Sequence, residues 1–310
     1  MANQLVVVGV LRGALILALL GAASAPLHAV TLRPLGPRGT SEGTEAIAWS
    51  PDGTTIAAHH WSVGPPDFFI TSFVFAYDVQ SGAPVVIRGL SALPHSPEGG
   101  LVMHPTWSPD GTRLGVASDF HLWTVSVADS SAAQVSFDEA RSPAWSPDGS
   151  RFVYAGVGGL RMVPANGGAS SRLTTGFDAS PAWSRDGTRI AFARASDIWV
   201  MGANGGMPVP LTSGPDEDTQ PSWSPDGALL AFASLRGGQN DIWVVRAATG
   251  QLSQLTNDAA VDFSPAWSPD GAAIAFISDR DGTQRIWIAT DLTMVPVTPM
   301  TWSGVKARFR

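Results

Sequence analysis

Asp178, Asp218 and Asp262 each stand five residues ahead of a tryptophan, at Trp183, Trp223 and Trp267. Glu139 and Glu45 fall near the same place before Trp145 and Trp49. Carboxylates brought together by a repeat focus negative potential, and their oxygens suit calcium or another hard divalent cation, or a basic segment of a partner. The competing structural reading is that an Asp at a fixed place in a repeat caps a turn by bonding its own backbone. Histidines form a second group: His59, His60, His95, His104 and His121 crowd into the first part of the chain, and none follows. Imidazoles on neighbouring strands could hold a transition metal, but no pair here has a ligand spacing that defines a site. Asp279-Arg280-Asp281-Gly282 alternates acids like a calcium loop, yet the remaining ligands of such a loop are missing, and it reads as a hairpin turn. Zero Cys removes disulfides, thiolate zinc sites and cysteine nucleophiles. There is no HExxH, phosphate-binding loop, dinucleotide fingerprint or G-x-S-x-G elbow. Any chemistry must therefore be assembled from separate segments.

Those segments repeat. WSPDG begins at Trp49, Trp107, Trp145, Trp223 and Trp267, and WSRDG at Trp183, with steps of 58, 38, 38, 40 and 44 residues. Such a step is what four short strands and their turns consume, the signature of a propeller blade. In each unit Ser-Pro-Asp-Gly fits a type I turn closed by a left-handed glycine, with the Asp side chain on local amides. The motif residues are Asp52, Asp110, Asp148, Asp186, Asp226 and Asp270, followed by Gly53, Gly111, Gly149, Gly187, Gly227 and Gly271. An alternating apolar strand follows the turn, as in Arg189–Ala193; a third carries Asp-Ile-Trp-Val, as at Asp197 and Asp241; a fourth ends in Leu-Thr, as at Leu173-Thr174. Up to two tryptophans per unit, from a total of 12, can fill the wedge between blades.

The expected fold is an all-β, six-bladed propeller with four antiparallel strands per blade, whose ring removes free sheet edges. Val30–Leu35 reads as a stray outer strand, and Thr301-Trp302-Ser303 with Val305–Phe309 as a shortened seventh unit. These ends pair in the sixth blade as a clasp or, in the alternative, build a seventh blade together. The first unit is the longest, with its surplus in Ser62–Phe69 and Ser91–His104, where binding function tends to concentrate.

Composition is that of a folded soluble protein, with 44% hydrophobic and 15% charged residues, Gly 33 and Pro 24. A net charge of -7 with Lys306 as the only lysine leaves no basic stripe for nucleic acid. Residues 1–29 read as a signal peptide: Arg12 is followed by an apolar run, and small residues precede cleavage after Ala29, so that 30–310 is the mature propeller. A membrane anchor over Leu5–Ala25 is the less favoured alternative. An exported chain without cysteine fits a bacterial envelope.

WSPDG, then an apolar strand, then Asp-Ile-Trp-Val, then Leu-Thr resembles the WD40-like PD40 units of the TolB family over roughly Ala46–Thr298. The resemblance implies a TolB-like propeller in the periplasm, here without the α/β domain that precedes the propeller in the named member, so that the specific Tol role of that member does not carry over. It leads us to expect a monomeric binding scaffold for protein–protein interaction in the envelope, with an envelope protein or lipoprotein as partner and carbohydrate as another candidate. Similar blades in oligogalacturonate lyases, which hold a metal through histidines, supply the alternative: a metal-dependent polysaccharide lyase or hydrolase acting at the mouth of the channel. No catalytic residue is assigned, and Asp178, Asp218 and Asp262 are the candidates for a cation.

Overall fold

The structure is a computed structural model that describes residues 30–36, 43–64, 69–87, 90, 93, 102–129 and 131–292. Residues 1–29, read above as a signal peptide, His95, most of the second first-unit surplus and the Trp302-Ser303 unit lie outside the described residues. Twenty-four strands form six four-stranded antiparallel sheets. Blade 1 holds β2 (Gly43–Trp49), β3 (Thr55–Gly64), β4 (Phe69–Asp78) and β5 (Pro84–Val85), and blade 2 holds β6 (Val102–Trp107), β7 (Arg113–Ser118), β8 (His121–Ser126) and β9 (Ala132–Ser136). Blade 3 is β10 (Arg141–Trp145), β11 (Arg151–Gly156), β12 (Gly159–Pro164) and β13 (Ser171–Arg172). Blade 4 is β14 (Asp178–Trp183), β15 (Arg189–Arg194), β16 (Asp197–Gly202) and β17 (Val209–Pro210). Blade 5 is β18 (Asp218–Trp223), β19 (Leu229–Ser234), β20 (Asp241–Arg246) and β21 (Leu252–Gln254). Blade 6 combines β22 (Asp262–Trp267), β23 (Ile274–Ser278) and β24 (Arg285–Thr290) with β1 (Thr31–Leu35) from the other end of the described chain.

That pairing closes the ring. Thr31 lies opposite Thr290 and Leu35 opposite Ile286, so β1 is the outer strand of blade 6. Leu35 is buried with Tyr77 of blade 1 and with Ile286 and Ile288 of blade 6, and the Arg33 guanidinium donates to Val79 O at 3.0 Å. One short strand thus hydrogen-bonds the last blade and packs on the first. The Val30–Leu35 end takes its place in the sixth blade, the Thr301–Phe309 end lies outside the described residues, and the described residues contain six blades.

Each repeat turn is built from contacts within six residues. In blade 3 the Ser146 hydroxyl donates to Asp148 Oδ1 at 2.6 Å, Ser150 N donates to the same oxygen at 3.0 Å, and Arg151 N donates to Ser146 Oγ at 3.0 Å. Gly149 N closes the turn on Ser146 O at 2.9 Å with Gly149 at φ 75°. The turn with Arg185 in place of proline keeps the same bonds, and Gly187 sits at φ 70°. Proline therefore presets φ but the Ser–Asp pair makes the turn. These bonds favour the charged form: the serine hydroxyl first, then the backbone amide, hold the carboxyls of Asp148 and Asp186 down to about 2.

Blades pack through large side chains at equivalent positions. Phe152, Phe192, Phe232 and Phe276 on the second strands are fully buried. Each first-strand tryptophan leans on the blade before it: Trp107 on Ala57 and Val74, Trp183 on Val153 and Leu160, Trp223 on Ala191 and Ile198. The indoles thus fill the inter-blade wedge, and each blade depends on its neighbours for its core.

The ring has two faces. The repeat turns and the third-to-fourth-strand turns lie on one, the turn face; the second-to-third-strand hairpins and the blade-to-blade crossings lie on the other, the loop face. In sequence the two long first-unit segments fall between β3 and β4 and between β5 and β6. The Asp279-Arg280-Asp281-Gly282 sequence is the β23–β24 hairpin, with Gly282 N donating to Asp279 O at 2.7 Å.

Candidate functional site

The innermost strands β2, β6, β10, β14, β18 and β22 line a central channel. In the last five of these, a bulge sets two residues against one on the second strand, and the bulged residue is left-handed: His104 (φ 51°), Ser142 (46°), Ser180 (49°), Gln220 (54°) and Ser264 (50°). A proline follows each one. A proline has no N–H to offer, which costs nothing on the free inner edge of a blade and blunts that edge against further strand pairing. Five non-glycine residues at positive φ store of the order of 1 kcal/mol or more each, a strain met where the structure around it demands one side-chain placement. The result is a polar waist about a cavity of about 130 Å³, lined by these five side chains, their prolines, Ala46 and Ile47. Hydrogen bonds tie the waist together: Ser264 N donates to Gln220 Oε1 at 2.9 Å, and Ser264 Oγ donates to Glu45 O. Sequence reasoning missed this ring. Its signal was x-Pro-x-Trp, present in every unit except the first, where Ala46-Ile47-Ala48-Trp49 stands instead.

On the turn face the channel widens into a mouth of about 550 Å³, walled by Trp49, Trp107, Trp145, Trp183, Trp223 and Trp267 and by the prolines of the bulges and turns. Arg185 is the charged side chain in this lining, and its Nη1 donates to Pro269 O at 3.2 Å.

The first-unit histidines come close together beside the waist. The rings of His59 and His104 lie 5.9 Å apart, the Glu45 carboxylate is 3.5 Å from His59 Nδ1, and His59 Nε2 is 3.2 Å from Ser72 Oγ. His60 turns the other way, to Thr44 Oγ1 at 3.0 Å and Tyr77 OH at 3.3 Å. His121 opens β8, away from the pair. Among the described residues no three His, Cys, Asp or Glu converge as a metal cage. Burial, then the neighbouring His104 and His60, lowers His59 to about 3; burial, then Arg141, lowers His104 to about 4. Both imidazoles are therefore neutral at neutral pH, and the His59–Glu45 contact is not an ion pair there. A histidine titrated by NMR at either position should show no shift change between about pH 5 and 8. The folded pKa values lie below the unfolded one, so the unfolded chain binds these protons first. The associated stability is full above about pH 6.5 and is lost as pH falls from there through about 4, then 3; a titration near 6.5 in the folded protein would overturn this burial.

The repeat aspartates start the first strands at the loop-face end, and each is held by an arginine from its own blade. Arg194 donates to both oxygens of Asp178 at 2.6 and 2.8 Å, Arg236 to both of Asp218, and Arg280 to both of Asp262 at 3.0 and 2.8 Å. All three carboxylates have fully buried side chains. Arg194 stacks on Phe192 and Trp199, and Arg280 on Phe276 and Trp287, so these guanidiniums sit on aromatic faces while pairing. The Leu-Thr motif completes the arrangement. Thr174 accepts from Leu160 N at 2.8 Å and donates to Asp178, joining the outer strand of blade 3 to the inner strand of blade 4. A cation reaching these carboxylates would have to displace a bidentate guanidinium. Glu139 pairs instead with Arg141 at 2.8 Å on the exposed surface, and burial raises the pKa of Glu45. The buried Asp241 belongs to the same region: burial, then the Asp262 carboxylate, pushes it up to about 6, with Gln254 donating to it at 3.0 Å.

The comparisons agree with this architecture. Residues 180–297 match the model of the Tricorn protease N-terminal β-propeller domain. A TolB-like protein from Agrobacterium tumefaciens is 31% identical over 58% of this chain and 70% of that one, with a TM-score of 0.55. The chain belongs to the TolB-like β-propeller family. TolB from Acinetobacter baumannii superposes with a TM-score of 0.54 at 18% identity over 81% of this chain, which spans 55% of that protein. An oligogalacturonate lyase from Vibrio parahaemolyticus shares the fold, with a TM-score of 0.51 at 11% identity over 84% of this chain and 97% of the lyase. No curated protein matches the sequence. Within the TolB-like family this chain is a propeller scaffold whose repeat motifs are accounted for by turns, wedges and inter-blade latches.

Proposed function

We propose that this TolB-like propeller is exported and binds a protein partner of the cell envelope through its loop face. The observation that carries this reading is that most exposed large apolar side chains among the described residues, Phe75, Met207 and Val209 apart, lie on one face. Phe120, Phe137, Val157, Phe177, Leu235 and Val261 all lie in loop-face hairpins and crossings, and Phe137 and Phe177 are 81% and 99% exposed. Isolated loop-tip aromatics of this kind are anchors for a partner. Export is supported by the family and by the reading of residues 1–29. Cleavage after Ala29 would also leave β1, which starts at Thr31, whole for ring closure.

The partner is an envelope protein or lipoprotein. Carbohydrate, and a metal-dependent lyase or hydrolase, remain the second reading because His59, His104 and Glu45 gather beside the channel. One experiment tests both. The full chain is expressed in a host with an envelope, its mature N-terminus is sequenced, and it is used to capture partners with and without chelator. The matched control is Phe120→Ser/Phe137→Ser/Phe177→Ser. The scaffold reading expects a start at Val30 and one protein retained regardless of chelator and lost by the triple variant. Retention by the triple variant would overturn the loop-face assignment, and tightly bound metal without a partner would favour the enzyme.

A further inference from the structure

Closing the ring with β1 leaves a groove on the rim of the propeller. β1 pairs with β24 in blade 6, and its far end, Leu35-Gly36, reaches the β4–β5 turn of blade 1. The two backbones touch there at glycines. A Cβ on Gly82, at φ 71°, would come 3.3 Å from Gly36 N, and one on Gly36, at φ 80°, would come 3.3 Å from the Tyr77 ring. Beside this contact lies a groove of about 520 Å³ whose lining includes Arg33, Pro34, Gln80, Ser81, Pro84 and Arg285. That volume falls in the range of small-molecule sites, about 300–1,000 Å³.

The charge of the lining has one sign. Arg33 and Arg285 both line the groove, and among the described residues no carboxylate does, in a chain of net charge -7. The carboxylates nearby are engaged: Asp78 accepts from Ser81 N at 2.7 Å and from Ser81 Oγ at 2.6 Å, and Asp281 pairs with Arg285 Nη1 at 3.2 Å. Arg33 donates through Nη2 to Val79 O at 3.0 Å and has no carboxylate partner among the described residues. The Arg285 side chain is 11% exposed and lies 5.5 Å from the Trp287 ring centre, and its Nε is buried without an acceptor. A charged N–H taken out of water without an acceptor costs free energy that an oxyanion would offset. Guanidinium forks match the paired oxygens of carboxylates and phosphates. Pro34 and Pro84 add apolar surface for the rest of such a molecule, and Gln80 an amide.

We propose that this groove binds a small organic oxyanion, a phosphate ester or a carboxylate, between Arg33 and Arg285, with the body of the molecule against Pro34 and Pro84. Arg33 belongs to β1 in blade 6 and Pro84 to blade 1, so the ligand bridges the two sides of the ring closure. It binds only the closed ring and therefore stabilises the folded propeller by mass action. The inference uses no residue of the exposed loop-face set and stands apart from the partner proposed above.

Calorimetric titration of the full chain with inorganic phosphate, glycerol phosphate and acetate tests it, with sodium chloride at matched ionic strength as the control. The expected result is saturable one-site binding, weakened about tenfold or more in Arg33→Gln, which removes a charge-assisted bond, and in Gln80→Glu, which sets a like charge beside the ligand. Tm should rise by on the order of 5 °C at a hundredfold excess over Kd, and not with chloride. Gln80→Glu leaves both arginines and the β1 pairing in place, so it decides the question even where Arg33→Gln loosens the closure. Binding of glycerol phosphate without acetate assigns the phosphate ester, and the reverse assigns the carboxylate. Three results would overturn the proposal: no saturable binding of any of the three anions up to about 10 mM, an affinity unchanged in Gln80→Glu, or a Tm rise that chloride reproduces.

Discussion

Asp218→Ala is expected to destabilise the protein by about 3–5 kcal/mol, lowering Tm by on the order of 10 °C in calorimetry. The Asp218 side chain is fully buried, that of Arg236 is 7% exposed, and the Ser234 hydroxyl donates to Asp218 at 2.6 Å. Among the described residues, removing the carboxylate leaves a buried guanidinium bonded to Ser213 O at 3.1 Å, with Asp197 as the remaining carboxylate that feels its charge. The loss is that of an unpaired buried charge, not the net worth of the pair, so the double change Asp218→Leu/Arg236→Met should cost distinctly less than the single one. A single-variant effect under about 1 kcal/mol would mean that water reaches this pair as it reaches surface ion pairs. The same experiment separates structural from ligand-binding roles: a variant that binds its partner normally once folded assigns Asp218 to the scaffold.

Trp223→Ala is expected to cost about 3–5 kcal/mol, the range for a large aromatic removed from a core. Trp223 is 7% exposed, packs on Ala191, Ala193 and Ile198 of the preceding blade, and carries the Arg189 guanidinium 4.4 Å from its ring centre. Its loss opens the wedge between blades 4 and 5, so urea unfolding should shift to a lower midpoint. The useful contrast is Phe177→Ser. At 99% exposure that side chain contributes no core, and the change should lie within about 0.5 kcal/mol of neutral. A stability loss from Phe177→Ser similar to that from Trp223→Ala would place Phe177 in a packed environment and undercut its role as a loop-tip anchor.

Where the chain's own contacts are local, they were legible in the sequence. A turn such as Ser146-Pro147-Asp148-Gly149 needs only bonds among neighbouring residues, so its pentapeptide announces it wherever it occurs. The number of blades followed from the repeat, and the alternation of second strands such as Arg189–Arg194 marked the buried sheet. The x-Pro-x-Trp pattern was as regular, but its meaning was not: a proline on a strand says only that the edge is free, whereas the bulge that turns Ser180 or Gln220 to the channel depends on the opposing strand.

Partners separated along the chain are a different matter. Asp178 offered a cation ligand or a cap on its own backbone as readings, and it bonds the side chains of Arg194 and Thr174 instead, because Arg194, 16 residues away, meets it only when β14 and β15 pair in one register. His59 and His104 become neighbours only once blade 2 docks on blade 1, and burial there is what keeps them neutral. The sequence by itself determined the turns, the blade repeat and the family, because these rest on contacts within a few residues. Only the tertiary structure decided that β1 closes blade 6, that the arginines capture the aspartates and that Phe120, Phe137 and Phe177 share a face. Each of those depends on bringing distant strands together around one axis, a geometry that no short segment encodes.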